Sequence, residues 1–307
     1  MSDTAISLDS SEEPYLIRNM KGHKKAVTDI SFNPLTTQFA SGSEDHSLMI
    51  WNQSNNVRNY SFCGHSDIIT GVEFSSNGKL VGTCSKDQTV RFWIPSVKGE
   101  TSVFKVHTSC VNCLSFSPDN SRLITGSNDK SIKVWDVAQK QFITSLLGHT
   151  SWVQSVKYSS NGSFIASGAD DHSLRIWDIN TGECAHKLGT ASSNPTCIAI
   201  HSNNNHVAVA MNSGSVRVYD IRNEKLRQHY TLHEGSTKCV SWHPNKNLLL
   251  SCGEDGNIRI VDVMEGRPIY TLTGHTGSVN TCKFSTDGEL FASGGDDQLV
   301  MVWKTNL

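Results

Sequence analysis

No stretch of this 307-residue sequence stays apolar over the ~18 residues that a membrane-spanning helix needs. Net charge is nearly absent too, with 27 Lys and Arg against 29 Asp and Glu. That balance removes the global basicity that announces a phosphate-binding domain, so a broad nucleic-acid footprint is not expected. Catalytic motifs are also missing. The chain has no GxSxG elbow, no GxxxxGK[ST] loop to cradle phosphates, no HExxH and no DxDxDG calcium loop. Nothing therefore pairs a nucleophile with a base, and no enzyme activity, cofactor, metal or small-molecule substrate is expected. Met1 to Glu13 holds four acidic residues, no basic one and no apolar core. It reads neither as a signal nor as a transit peptide, and the expected compartment is cytosol or nucleus.

Cysteine is present in an odd number, nine. Six of them, Cys84, Cys113, Cys197, Cys239, Cys252 and Cys282, sit at apolar positions, as small buried hydrophobes do in a reducing compartment. Cys110 and Cys113 form a CxxC, but no second CxxC or paired histidines stand at ligand spacing, so the pair reads as structural.

What is present is a period. His23, His65, His107, His149, His233 and His275 are separated by 42, 42, 42, 84 and 42 residues, and the double gap marks a fifth unit without its histidine. Seven units of 42 span 294 of the 307 residues, which leaves no room among them for a second domain. An Asp follows each His by 22 residues: Asp45, Asp87, Asp129, Asp171, Asp255 and Asp297. Four residues before each Asp stands a hydroxyl: Ser41, Thr83, Thr125, Ser167, Ser251 and Ser293. Six after it, in five units, stands Trp51, Trp93, Trp135, Trp177 or Trp303. Between these markers run short segments such as 27–32 and 131–135 that alternate or are rich in β-branched residues, which predicts strands. Ser117-Pro118-Asp119-Asn120, Ser160-Asn161-Gly162 and Thr286-Asp287-Gly288 supply turns between them.

Gly-His early in each unit and Trp-Asp at its end (Trp135-Asp136, Trp177-Asp178) resemble the WD40 signature over nearly the whole chain. The resemblance implies an all-β, seven-bladed propeller with four strands per blade. It also implies that His, Ser/Thr, Asp and Trp hydrogen-bond in series within a blade. Buried imidazole, carboxylate and indole N–H groups are costly unless they satisfy one another, so these residues read as structural rather than as metal ligands or acid/base pairs.

After Trp303 only Lys304 to Leu307 remain, too short for an outer strand of the seventh blade. The offset of Val57 to Phe62 before Gly64-His65, transferred to Gly22-His23, predicts that Tyr15 to Met20 completes that blade and closes the ring. Closure removes a free sheet edge. Residues 1–14 then read as a disordered acidic tail and 15–307 as the propeller. The fifth unit departs from the pattern, with Ala191, Val209, Ser213 and Tyr219 at the four marked places. The sixth keeps His233, Ser251 and Asp255 but has Val261 for Trp. Blades five and six are thus expected to rest on apolar packing alone and to be the weakest sector, or simply to reflect repeat drift.

Function has to come from sites grafted on such a scaffold. Alternation places the side chains three and five residues after each His, and the one before each Asp, at the channel mouth. The first set is Ala26, Thr28, Ile68, Thr70, Cys110, Asn112, Trp152, Gln154, Asn194, Thr196, Ser236, Lys238, Ser278 and Asn280. The second is Glu44, Lys86, Asn128, Asp170, Asn212, Glu254 and Asp296. Trp152 stands out where most units carry small or polar residues, and Ile68 would widen an apolar patch beside it. The candidate partner-binding rim is therefore Trp152, Ile68, Gln154, Asp170, Lys86, Lys238, Glu44, Glu254 and Asp296.

Several stretches resemble the proteome-of-centriole WD-repeat proteins. They are Met20-Lys21-Gly22-His23, Val97-Lys98-Gly99-Glu100 with Ser102-Val103-Phe104, Asp262 to Arg267, and Phe291 to Gly295 with Val300 to Lys304. The resemblance implies a scaffold of centrioles and basal bodies that binds and stabilises the microtubule triplet wall and supports cilia. Its partners would be centriolar proteins, tubulin among them. Such proteins carry a linker and a short coiled-coil segment after the propeller, which would lie beyond Leu307. Two other binding roles stand beside this one. Tyr219-Asp220-Ile221-Arg222 resembles the WDxR box of substrate receptors of cullin-type ubiquitin ligases, with Tyr in place of Trp. An acidic channel mouth (Glu44, Asp170, Glu254, Asp296) would suit a histone or RNA-processing scaffold, although Lys86 and Lys238 dilute it.

Overall fold

The computed structural model describes residues 13–53, 59–96, 101–189 and 193–306. Among them, 28 strands pair into seven four-stranded antiparallel sheets. The first blade runs outward from Val27–Phe32 through Gln38–Ser43 and Ser47–Asn52 to Tyr60–Cys63. Five further blades repeat that order, with inner strands Ile69–Phe74, Val111–Phe116, Val153–Tyr158, Pro195–Ile200 and Thr237–Trp242. The seventh consists of Val279–Phe284, Leu290–Gly295, Leu299–Lys304 and, as its outer strand, Tyr15–Lys21. Each inner strand packs on that of the next blade, and the first packs on the seventh, so the ring closes.

Closure therefore comes from the start of the chain. Tyr15 pairs with Lys304 and Lys21 with Leu299, interrupted by a register shift between Leu16 and Arg18. Pro14, just before that strand, is buried. The expected acidic tail falls largely on residues 1–12, outside the described residues, and no helix of the described residues is long and apolar enough to cross a membrane.

The core lies between blades. Val27, Ile30 and Phe32 of the first inner strand pack with Ala292, Val300 and Val302 of the seventh blade, and with Phe39 and Trp51 of their own. Trp51 and Trp177 are each 1% exposed. Burying one large apolar side chain contributes about 1.5–3 kcal/mol, and each interblade layer repeats it several times over.

Strict alternation breaks once in every inner strand. A register shift falls at 27/29, 69/71, 111/113, 153/155, 195/197, 237/239 and 279/281. Such a bulge turns two consecutive side chains toward one face. The residue after each marker Asp also adopts a left-handed backbone, from His172 at φ 57° to Gly256 at 75°, and so does Gly214 after Ser213, at 80°. That turn aims the Asp back at its histidine.

Candidate functional site

The histidine precedes the inner strand, the hydroxyl sits on the second strand, the Asp on the turn after it and the Trp on the third. In the first blade Trp51 Nε1 donates to Ser41 Oγ at 2.7 Å, Ser41 lies 2.7 Å from His23 Nε2, and His23 Nδ1 lies 3.1 Å from Asp45. The hydroxyl receives the indole proton and gives its own to Nε2, and Nδ1–H donates to the carboxylate. The chain recurs through Trp93, Thr83, His65 and Asp87, and through Trp135, Thr125, His107 and Asp129. Trp177, Ser167, His149 and Asp171 repeat it, as do Trp303, Ser293, His275 and Asp297.

Electrostatics fits neutral histidines facing ionised aspartates. Burial lowers the pKa of His23, His149 and His233, outweighing the partner carboxylate in each. Burial acts against Asp45 and Asp171 as well. Hydrogen bonds from Ser47 and Lys24 N–H, and from Ser173, His149 and Thr150 N–H, nevertheless hold the two carboxyls at about 2.

Blades five and six do not rest on packing alone. His233 keeps contacts of 2.8 Å to Asp255 and 3.0 Å to Ser251, with Val261 buried in place of the indole. In blade five the loop is held from the rim column instead, Asn212 Oδ1 accepting from Ser193 Oγ at 2.8 Å and from Asn194 N–H at 3.1 Å, much as Glu254 accepts from Ser236 N–H in blade six. Ala191 lies outside the described residues.

The two sets assigned to the channel mouth are pinned together by one recurring bond. The N–H of the residue before each marker position donates to the carbonyl three after the His: Glu44 to Ala26, Lys86 to Ile68, Asn128 to Cys110, Asp170 to Trp152, Asn212 to Asn194, Glu254 to Ser236 and Asp296 to Ser278, all at 2.9–3.0 Å. The side chains then divide. Those five after the His line the channel in all seven blades. Several also tie neighbouring blades, as when Thr28, Asn112 and Thr196 donate to carbonyls of Ile69, Val153 and Thr237 at 2.6–2.8 Å. The side chains three after the His are not among the channel lining and stand on the rim outside it.

On that rim Trp152 is 51% exposed, Lys86 is exposed, and Ile68 and Glu44 are half-buried. Three acidic rim residues are engaged by neighbours: Asp170 by Gln154 and Asn194, Glu254 by Lys238, and Asp296 by Asn280. Arg222 of the WDxR-like box folds back on Asp220 through Nε at 3.1 Å and Nη2 at 2.7 Å, while Tyr219 is buried. Of the CxxC pair, the Cys113 thiol is pushed up to about 12 by burial.

Alternation alone missed the inner channel. Because of the bulge, the residues six after each His also line it, and those eight after line its other end, a cavity of about 590 Å³. These rings bring in Asp29, Glu73, Lys157 and Lys283. Lys157 and Glu73 pair across the channel, and Glu73 also accepts from Ser115 Oγ and Phe116 N–H at 2.9 and 3.0 Å. Burial opposes the Lys157 ammonium, yet Glu73 holds its pKa above the ordinary lysine value. The signal in the sequence was a charge inside an otherwise apolar strand. Among the described residues no three His, Cys, Asp or Glu side chains group to hold a metal.

A family model described as "IFT122 first beta-propeller" matches residues 1–252, and one described as "WD domain, G-beta repeat" matches residues 266–304. "POC1 centriolar protein homolog A" of Xenopus tropicalis is 53% identical over 51 residues, 17% of this chain and 12% of that protein. The homolog A of Danio rerio is 47% identical over 49 residues, 16% of this chain and 12% of that protein. "POC1 centriolar protein homolog B" of Danio rerio is 47% identical over 51 residues, 17% of this chain and 10% of that protein. The matched stretches thus span 12% or less of the length of these relatives.

Proposed function

The chain belongs to the IFT122 first beta-propeller family of WD-repeat domains, and from that premise we propose that it is a non-enzymatic protein-binding scaffold of centrioles and basal bodies. The observation that carries the docking part is Trp152. Half of its indole surface is open, yet its backbone is fixed by Asp170 and its neighbour Val153 is fully buried. A rigidly held, exposed Trp gives up little conformational freedom on binding and offers a large apolar area. Ile68 holds the place of Trp152 in the second blade, Glu44 and Lys86 share the other rim column of the first two blades, and together they would extend a contact fitted by shape around the rim.

The centriolar assignment is supported by the stretches shared with relatives named POC1 centriolar protein. In this reading the propeller binds centriolar and basal-body proteins, tubulin among them, stabilises the microtubule triplet wall and supports cilium assembly. The near balance of 27 basic and 29 acidic residues means that docking need not rely on attraction to an acidic partner. The test is to express the tagged chain in ciliated cells and measure its enrichment at centrioles over cytosol, beside Trp152→Ala. Enrichment that falls several-fold in a folded Trp152→Ala variant supports the reading. A chain that stays diffuse even when fused to a centriolar coiled-coil tail overturns it.

A further inference from the structure

Cys197 and Cys239 occupy equivalent places, 42 residues apart, on the inner strands of blades five and six. The other five blades carry Asp29, Gly71, Cys113, Ser155 and Thr281 there, so these two are the one adjacent pair of thiols in that ring. Their sulfurs lie 3.6 Å apart. Both border the channel, at an end whose cavity is about 260 Å³, Cys197 half-buried there and Cys239 buried against the interblade core. A disulfide needs about 2.05 Å between sulfurs. The sulfurs have to close the rest of that distance for the bond to form, and both cysteines sit at the register shift of their strands, facing each other.

The surroundings set a direction for chemistry. The Cys239 thiol is pushed below the ordinary thiol range, first by the hydrogen bond from Cys197, then by Cys282 and the nearby Lys283 ammonium, while burial opposes. Cys197, bonded to Cys239, is pushed up by that bond and by burial. A thiolate at Cys239, beside the Lys283 ammonium and 3.6 Å from the second sulfur, has its resolving thiol already in place.

We propose that Cys197 and Cys239 form a redox-modification site in the channel, which a small peroxide converts into a disulfide joining blade five to blade six. Cys239 thiolate attacks one peroxide oxygen and breaks the O–O bond. This gives Cys239 sulfenic acid and hydroxide, which takes up the proton released on ionisation as water. Cys197 then attacks the sulfenic sulfur, its thiol proton leaves with the hydroxyl as a second water, and the S–S bond forms. Two thiols lose two electrons and the peroxide gains them. The link would staple the blade that lacks the His–Asp pair and the indole bond to a neighbour that keeps its His–Asp contact.

The full chain carrying C63S, which removes an exposed thiol, is treated with hydrogen peroxide and mapped by mass spectrometry without reduction. The expected product has lost two hydrogens and joins the peptides of Cys197 and Cys239. Its Tm is higher by about 5 °C, and dithiothreitol reverses both changes. C197S and C239S, checked for folding by circular dichroism, each lose the link and the shift. The peptide map of the C63S chain decides even if those variants fail to fold. Recovery of Cys197 and Cys239 as free thiols while Cys110 or Cys184 oxidises would overturn the proposal, and so would a bond from Cys239 to Cys282.

Discussion

Asp170 fixes Trp152 in place: its N–H donates to the Trp152 carbonyl at 2.9 Å, and its carboxylate accepts from Gln154 at 2.7 Å and Asn194 at 3.2 Å. The backbone under the indole is thus held by hydrogen bonds while the ring stays half open. Replacing the ring should leave the fold intact. Trp152→Ala is expected to change unfolding free energy by less than about 0.5 kcal/mol while weakening partner capture by about 2 kcal/mol or more. Urea unfolding and a binding titration against centriole extract, run side by side, separate the two effects.

Ser167 stands between Trp177 and His149 at 2.7 Å from each. Ser167→Ala leaves a buried indole N–H and a buried imidazole nitrogen without partners, at a cost of about 2–3 kcal/mol. The equivalent residue of blade five is Val209, fully buried among apolar neighbours, so Val209→Ala orphans no polar group and opens a cavity of two methyl groups, about 2–3 kcal/mol. A Ser167→Ala variant within about 0.5 kcal/mol of the parent in urea unfolding would contradict the assigned role of the hydroxyl.

Gly214 has φ 80°, and a Cβ there would stand 2.1 Å from the His233 carbonyl oxygen. That oxygen belongs to backbone held by two N–H bonds, from Leu232 and His233, to the Gly214 carbonyl. Neither chain can move without breaking the seam between blades five and six. Gly214→Ala is expected to cost more than about 3 kcal/mol, strain and clash combined, and to lower Tm in a thermal melt far more than Gly189→Ala, where a Cβ meets nothing within 4 Å.

Acid should unfold the ring in two stages. His23, His149 and His233 have folded-state pKa values depressed below 6.5, so the unfolded chain binds more protons as pH falls through 6.5 and stability declines from there. Asp45 and Asp171 fall from 3.8 unfolded to about 2 folded, and their contribution is full above 3.8 and lost on the way down to 2. Denaturant midpoints measured from pH 8 to pH 3 should fall first below pH 6.5 and more steeply below 4. A midpoint that rises on acidification through 6.5 would contradict the neutral-histidine assignment.

The sequence carried the architecture because five of the seven blades write their own full hydrogen-bonded chain in a fixed spacing. His149, Ser167, Asp171 and Trp177 are close in the fold for local reasons: one loop, one hairpin and one turn bring them together, so the period of 42 was sufficient to place them. Ring closure was readable for the same reason. An unpaired last blade and an unused strand pattern at Tyr15 had one economical solution. Even Trp152 was visible, as an aromatic out of place in its column.

What only the tertiary structure decided lies across blades. The bulge at 27/29 and its six counterparts put consecutive residues on the channel face, which strict two-residue alternation assigns to opposite faces. Glu73 paired with Lys157 two blades away and Cys239 beside Cys197 both depend on how neighbouring sheets are set against each other around the ring. Local spacing fixes contacts within a blade, because the same short hairpins make them every time. Contacts between blades depend on the rotation from one sheet to the next, which packing of the interblade core sets and no single repeat encodes.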